Sequence, residues 1–167
     1  MNTTLADLRE GESVLIDANI FLYHFGGRSA QCRAFLERCA RRELLGYTST
    51  PTLAEVLHRL MVAEAIQIGL VHPGTAVKTL KEKPELVKGL TRYNEDVRQI
   101  GQMNLAILSL TRGVLTRSEE IRKLLGLLTN DSLLVVFMRD RRITKLATAG
   151  KDFDRAPGLE IYKPTDL

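Results

Sequence analysis

The sequence predicts an α/β fold with three layers, in which helices cover both faces of a central parallel sheet of four to five strands. Short apolar runs alternate along the chain with segments whose apolar residues recur at helical spacing, which is the pattern of β-α-β units. Of the 167 residues, 44% are hydrophobic and 26% are charged, a composition typical of a globular protein. A chain of this length buries roughly two-thirds of the surface that it exposes when unfolded.

The first half of the chain contains two strand–helix units. A buried strand is predicted at residues 14–16, where an apolar run ends at Asp17, and a helix follows it. A short second strand follows Gly46, and Thr50 and Pro51 then start another helix, because proline is favoured at the first helical position. The helix between these units carries its apolar residues on one face, and they are Cys32, Phe35, Leu36 and Cys39.

The second half is predicted to add two or three more strands. Residues 70–95 contain two prolines and a cluster of lysines, so we interpret them as a loop with a short helix at 84–90. They form a possible helical insertion in a single domain that spans residues 1–167. The remaining elements are helices at 93–103 and 118–128, the second capped by Ser118, a helix that begins at Asp131, and strands at 104–110, 145–150 and 158–164.

The N-terminal segment, the cysteines and the net charge indicate which compartment and partners to expect. The N-terminal segment has no basic region followed by an apolar run, and no apolar run approaches the roughly 18 residues of a membrane span, so we expect a cytoplasmic protein without membrane contact. Cys32 and Cys39 lie roughly 10 Å apart along one helix, too far for a disulfide, and we expect both to be buried. The net charge of +4 and pI near 9.2 favour a polyanionic partner without establishing one.

Three acids stand where the parallel strands and the helices after them meet. Asp17 ends the first strand, Glu55 lies in the first turns of the helix after the second strand, and Asp131 begins a later helix. Strand carboxyl ends converge at one edge of an open sheet, so we expect these carboxylates to share a pocket. Simpler explanations exist, because Asp17 suits a turn after a strand and an acid early in a helix suits the helix dipole.

A cluster of carboxylates predicts a bound cation. Several carboxylates in one pocket repel one another unless a cation neutralises them or their pKa values rise. Oxygen ligands select a hard cation, and the three histidines are scattered along the chain, so the expected ion is Mg²⁺ or Mn²⁺. Such an ion acidifies a bound water and holds a phosphate oxygen, which makes phosphodiester hydrolysis the expected reaction.

Four segments of the chain resemble the acidic motifs of the PIN domain, the nuclease fold of the VapC toxins of toxin–antitoxin modules. They are LIDANIFLYHF, TLAEVLHRL, GLLTNDSLLVVFM and LATAGKDF, and they occur in the order of that family across essentially the whole chain. The resemblance implies an endoribonuclease in which Asp17, Glu55 and Asp131, with a fourth acid near Asp152, hold Mg²⁺ or Mn²⁺ and carry catalysis. It also implies products with a 3′-hydroxyl and a 5′-phosphate, a cognate antitoxin that covers the acidic groove, and a homodimer formed through the early helices.

The fourth motif departs from the pattern of the family. Many relatives carry Asp two residues after the threonine of this strand, where this chain has Gly150, so Asp152 is the remaining candidate. The other three acids alone could hold one ion, with water at its other positions. Asn19 and Thr129 are expected to orient the acids rather than to bind the ion.

Other functions compete with that of a toxin nuclease. A phosphatase of the haloacid dehalogenase type also places an aspartate after its first strand, but it needs a second acid two residues later, where this chain has Asn19. Two further alternatives are a PIN fold that has lost catalysis and binds RNA or protein, and an RNA-processing PIN nuclease outside toxin–antitoxin systems. The basic stretch at 139–145 is either a solvated helix end or a contact for the RNA backbone.

Overall fold

In the computed structural model, which describes residues 3–167, six strands form one sheet. The strands are β1 (Thr3–Thr4), β2 (Ser13–Ile16), β3 (Leu45–Ser49), β4 (Ala106–Leu108), β5 (Lys145–Ala147) and β6 (Glu160–Lys163). The helices are α1 (Ala18–Phe25), α2 (Ala30–Ala40), α3 (Thr50–Gln67), α4 (Ala76–Glu82), α5 (Pro84–Gly89), α6 (Arg92–Ile100), α7 (Arg112–Leu125) and α8 (Thr129–Arg141). Neighbouring strands are all parallel, in the order β1-β6-β5-β2-β3-β4.

The sheet is covered on both faces. Val14 and Ile16 of β2 belong to a core that includes side chains of α1, α2 and α3, whereas Leu15 belongs to a core built with α7 and α8. All three β2 residues are fully buried, which is why their run is apolar without alternation. The predicted α/β/α architecture with a parallel sheet is therefore confirmed.

Helix α8 is buried over most of its length. The seven consecutive residues from Ser132 to Met138 are all buried between the sheet and α7. A helix that is apolar around its whole circumference must be covered on all sides, and each buried Leu, Val, Phe or Met stabilises the fold by about 1.5–3 kcal/mol. The start of α8, which carries Asp131, is therefore held firmly against the sheet.

The sheet has six strands rather than four or five. The additional strand β1 consists of two residues, which pair with β6 through Thr3 with Tyr162 and Thr4 with Lys163. Two threonines carry no periodic apolar pattern, so the sequence does not indicate this strand. It is held by its backbone pairing at the edge of the sheet.

The predicted start of the helix at 118–128 is wrong. Helix α7 begins at Arg112, and its cap is Thr111, whose hydroxyl accepts a hydrogen bond from the Val114 N–H at 3.3 Å. Ser118 is fully buried inside the helix and donates to the Leu115 carbonyl at 2.7 Å. A serine inside a helix can satisfy its hydroxyl in this way, and its type alone does not distinguish that position from a cap.

Residues 73–90 fold onto α3 as short helices. Residues 76–82 form α4 instead of the predicted loop, because Ala76 and Leu80 are buried in a small core with Ala65 of α3 and with Leu90. The predicted helix at 84–90 corresponds to α5. That this segment is an insertion in a single domain stays a prediction.

Two predictions about the chain as a whole can be compared with the structure. Cys32 and Cys39 are buried and free, as predicted, and burial raises the pKa of their thiols to about 11 and about 12. Both thiols are therefore packing groups rather than nucleophiles at neutral pH. None of the helices in residues 3–167 is long and apolar enough to span a membrane.

Candidate active site

The topology of the sheet brings the ends of β2 and β5 together. From β2 the chain proceeds through β3 to β4 on one side, and β5 is then added on the other side of β2. The residues after β2 and β5 consequently lie side by side at the carboxyl edge, where the strand order changes direction. This is the position at which open α/β sheets form their sites.

Asp17 is fixed at this edge by three hydrogen bonds. Its Oδ1 accepts from the Ala18 N–H at 2.7 Å, and its Oδ2 accepts from the Thr148 hydroxyl at 2.6 Å and from the Asn19 amide at 2.9 Å. Asp17 therefore caps α1 and also joins the site, so the two explanations of this residue are compatible. Burial raises the pKa of Asp17 against the opposing effect of these bonds, and the charge of Glu55 raises it further.

Asn19 and Thr148 tie the loop after β5 to the start of α1. The Asn19 side-chain oxygen accepts from the Ala149 N–H at 3.0 Å, while its amide donates to Asp17 and, at 3.2 Å, to the Thr148 hydroxyl. Thr148 is fully buried and also accepts from the Gly150 N–H at 2.9 Å. The contact expected between Asn19 and an acid is confirmed. Thr148 was missed, although a threonine directly after an apolar strand is a signal for a polar contact there.

Glu55 connects α3 with α8. Its Oε2 accepts a hydrogen bond from the Asn130 amide at 3.0 Å, and its Oε1 lies 3.6 Å from Nη1 of Arg59. Thr129 was expected to orient an acid, but within residues 3–167 its hydroxyl makes no hydrogen bond to one, and its neighbour Asn130 does so instead. Two adjacent residues of a helix point in different directions, so only one of them is directed towards α3. The sequence alone does not show which one.

Asp131 is the third residue of α8 and is partly buried. Burial raises the pKa of its carboxyl to about 6, and the charges of Asp17, Asp152 and Glu55 add to this effect, while Arg155 opposes it. No hydrogen bond to the Asp131 carboxylate is formed within the described part of the chain. The other three predicted acids are therefore within electrostatic range of Asp131, and within residues 3–167 Asp131 makes no capping hydrogen bond at the start of α8.

Asp152 lies at the exposed rim of this group. It begins a 3-10 turn and accepts a hydrogen bond from Nη2 of Arg155 at 2.9 Å. The backbone of Gly150 does not have a positive φ, and an added Cβ would lie 3.3 Å from the Thr148 hydroxyl oxygen. An acid at position 150 would therefore be tight but free of backbone strain.

The four acids do not form a closed ligand set with the side chains in these positions. Across residues 3–167, no group of three or more His, Cys, Asp or Glu side chains is arranged to hold a metal ion. Glu55 is held by Asn130, and Asp152 is paired with Arg155. What the residues do form is a group of hard oxygen donors whose charges act on Asp131.

The basic stretch at 139–145 lies at the other end of α8. Arg139 follows Asp131 by eight residues, which is about 12 Å along a helix axis. Lys145 is paired with Glu160 at 2.9 Å and lies 3.8 Å from Glu12. The stretch therefore has the features of a solvated helix end, and the arginines beside the acids are instead Arg59 and Arg155.

The sequence matches the PIN domain family over residues 14–159. It is 39% identical over 87 aligned residues to ribonuclease VapC6 of Methanocaldococcus jannaschii, an alignment that covers 47% of this chain and 57% of that protein. The chain thus spans little more than half the length of this curated relative.

Solved structures share the fold at low sequence identity. One is VapBC2 from Rickettsia felis bound to a DNA fragment from their promoter, with 18% identity, a TM-score of 0.60, and coverage of 90% of this chain and 98% of that chain. Another is a toxin–antitoxin complex from Klebsiella pneumoniae, with 19% identity, a TM-score of 0.56, and coverage of 92% and 99%. The family match covers most of the sequence, and the chain belongs to the PIN domain family.

Proposed function

We propose that this chain is a metal-dependent endoribonuclease that hydrolyses phosphodiester bonds of RNA, with Asp17, Glu55, Asp131 and Asp152 as its catalytic and metal-binding residues. The observation that carries the proposal is geometric: Asp17 directly follows β2 at the carboxyl edge of the sheet, and the partly buried Asp131 in the first turn of α8 lies within range of its charge. Burial raises the pKa of the Asp131 carboxyl to about 6, and the charges of the other three acids add to this effect, which favours a site that receives a cation.

The donor set fits Mg²⁺ or Mn²⁺. The four groups are carboxylates, which are the ligands that hard divalent cations prefer, and the uncompensated charge around Asp131 is what such a cation would neutralise. Asp17, Glu55, Asp131 and Asp152 would hold the ion. When bound, the ion supplies an acidified water and offsets charge on the phosphate.

The residues of the chain have separate roles in this reaction. Thr148 and Asn19 hold the Asp17 carboxylate in one orientation, and Asn130 does the same for Glu55. Asp17 and Asp131 would hold the ion that acidifies the attacking water, whose proton passes to solvent. The water oxygen bonds to phosphorus as the bond from phosphorus to the 3′-oxygen breaks, and the departing 3′-oxygen takes up a proton from solvent, which leaves a 3′-hydroxyl and a 5′-phosphate.

We place this activity in a VapC-type toxin of the cytoplasm, where its RNA substrate occurs, with a cognate antitoxin as partner. The relatives support this role, because one is named a ribonuclease VapC and two solved neighbours are toxin–antitoxin complexes. An RNA-processing nuclease outside such modules uses the same chemistry. A homodimer belongs to the same proposal, although in residues 3–167 the exposed large apolar side chains avoid α1 and α2 and include Ile107, Leu110 and Leu115 near β4 and α7.

A second function is favoured by the fourth motif. Gly150 replaces an acid, and Asp152 is exposed and paired with Arg155, so a catalytically weak PIN fold that binds RNA is the competing candidate. Cleavage of a single-stranded RNA should be measured with EDTA, with Mg²⁺ and with Mn²⁺, for the chain and for Asp131→Asn. We expect cleavage that needs a divalent ion and is lost in Asp131→Asn. RNA binding without cleavage under all three conditions would favour the second function.

A further inference from the structure

A cavity of about 230 Å³ lies between α1, α3 and α6, outside the group of acids. Its walls include the apolar side chains Leu22, Phe25, Leu60 and Ala63 together with Tyr93, and its rim carries the guanidinium groups Arg28, Arg59 and Arg92. Arg59 is one helical turn after Glu55 and lies 3.6 Å from its carboxylate. The cavity is therefore adjacent to the candidate active site.

The arginines at the rim are largely available to a ligand. Within residues 3–167, neither Arg28 nor Arg92 forms an ion pair, and both are exposed. The Arg28 guanidinium is placed 5.1 Å over the ring of Tyr23, a stacked arrangement that limits its freedom. The one ion pair of Arg59 in this part of the chain is the long contact with Glu55. Three positive charges therefore surround one opening.

The two carboxylates of the cavity offset part of this positive charge. Glu64 is buried, and its carboxylate accepts hydrogen bonds from three consecutive backbone N–H groups, those of Thr91, Arg92 and Tyr93, at 2.9 to 3.2 Å. It is thus occupied in holding the start of α6. Asp96 is the remaining carboxylate of the lining; burial raises its pKa, and the charge of Arg92 lowers it. The lining keeps a small surplus of positive charge, because its three arginines outnumber these two carboxylates.

We propose that this cavity is a nucleotide subsite for the RNA strand, next to the bond that is cleaved. A guanidinium fork suits a backbone phosphate, and an unstacked base packs well against an apolar wall with an aromatic ring. Asp96 can accept a hydrogen bond from an amino group of the base or from a 2′-hydroxyl. The inference rests on the proposed ribonuclease function. Arg59 lines the cavity and contacts Glu55 of the candidate active site, so an RNA strand that is cleaved there would pass the cavity as well, which favours RNA over an acidic peptide as its occupant.

The test compares two charge-matched double variants in an Asp131→Asn background that prevents cleavage. Arg28→Gln/Arg92→Gln removes two charges from the rim, whereas Lys88→Gln/Arg98→Gln removes two exposed charges that do not line the cavity. Binding of a fluorescent single-stranded oligoribonucleotide is measured by anisotropy from 50 to 200 mM salt. We expect the log–log salt slope of the rim variant to be smaller in magnitude by about 1.4, at about 0.7 for each lost contact. Over this salt range its affinity should therefore fall about sevenfold less than that of the control variant. Thermal melts of both double variants check that the fold is retained.

The outcomes separate this inference from the proposed function. Equal slopes for the two double variants would overturn the subsite, even if the chain with Asp131 cleaves RNA. A slope change confined to the rim variant supports the subsite, even if the intact site proves to be inactive. If the rim variant loses affinity for polyglutamate but not for RNA, the cavity accepts an acidic protein segment and the proposal is wrong.

Discussion

The charged side chains at the two ends of helix α8 have different neighbours. At its first turn, burial raises the pKa of the Asp131 carboxyl to about 6, and the charges of three other acids add to this effect. At its last turn, Asp140 is paired with Arg117 of α7. Just beyond α8, Lys145 is paired with Glu160, and this contact lowers the pKa of the glutamate and raises that of the lysine.

The difference shows which end is reserved for a ligand. Side chains in contact usually arrange themselves so that opposite charges meet, as at the last turn. Like charges at the first turn persist because the buried body of α8, Ser132 to Met138, holds the helix start at the sheet edge. At the first turn, a bound cation would relieve the repulsion between the acids. The last turn contributes only ordinary surface ion pairs, each of which stabilises the fold by about 0–1 kcal/mol.

The largest effect is expected for Asp17→Asn. Loss of one carboxylate should reduce RNA cleavage by more than about 100-fold, since even changes to groups that only orient metal ligands cost about 10–100-fold. The fold should persist, because asparagine also caps helices. Cleavage rates and a thermal melt test this, with Asp154→Asn as a control, because Asp154 lies on the same 3-10 turn as Asp152 but pairs with Lys163. An active Asp17→Asn variant would contradict the site.

The repulsion at the first turn should also appear in the pH dependence of stability. An unfolded Asp131 ionises near the ordinary pKa of aspartate, whereas the folded protein keeps this proton to about 6. In metal-free buffer the free energy of unfolding should therefore fall by roughly 1–3 kcal/mol as the pH rises from about 4 to about 6. Urea titrations at several pH values measure this fall, which should be much smaller in Asp131→Asn. The same fall in both proteins would show that another group is responsible.

A smaller change is expected at the exposed rim of the acids. If Asp152 supplies the fourth carboxylate, Asp152→Ala should require several-fold more Mg²⁺ or Mn²⁺ for half-maximal cleavage. Gly150→Asp should need less, because the position has no positive φ and its added Cβ would be tight only against the Thr148 hydroxyl, with Asn19 at ordinary contact distance. Metal titrations of the cleavage rate compare the three proteins. Coincident curves for the unchanged chain and Asp152→Ala would indicate a site of three acids.

The smallest effect is expected at the last turn of α8. Arg139→Gln/Arg141→Gln removes two exposed charges from the end of the helix that lies about 12 Å from Asp131. We expect the salt dependence of RNA binding to stay within about 0.3 log–log units of that of the unchanged chain. A decrease near 1.4, as two phosphate contacts would give, would return this surface to the RNA interface and weaken the contrast between the two helix ends.

Local pattern was enough to predict much of the architecture. The alternation of apolar runs and helical spacing indicated the parallel α/β sheet, and connectivity predicted Asp17 and Glu55 at its carboxyl edge, with Asp131 joining them if its helix also starts there. These features depend on residues close in sequence and on rules of connectivity that hold for all such sheets. The four acidic motifs in order then indicated the family.

Only the tertiary structure decided which side chains complete the site. Thr148 bonds to Asp17 across 131 residues of sequence, and Asn130 bonds to Glu55 across 75. The arginines of the cavity come from α3, from α6 and from the loop between α1 and α2, and β1 exists because β6 lies beside it. A side chain's partner depends on how distant elements are rotated and packed against each other. The local sequence therefore determines the type and order of the helices and strands. Which side chains of distant elements contact each other is determined only when the whole core is assembled.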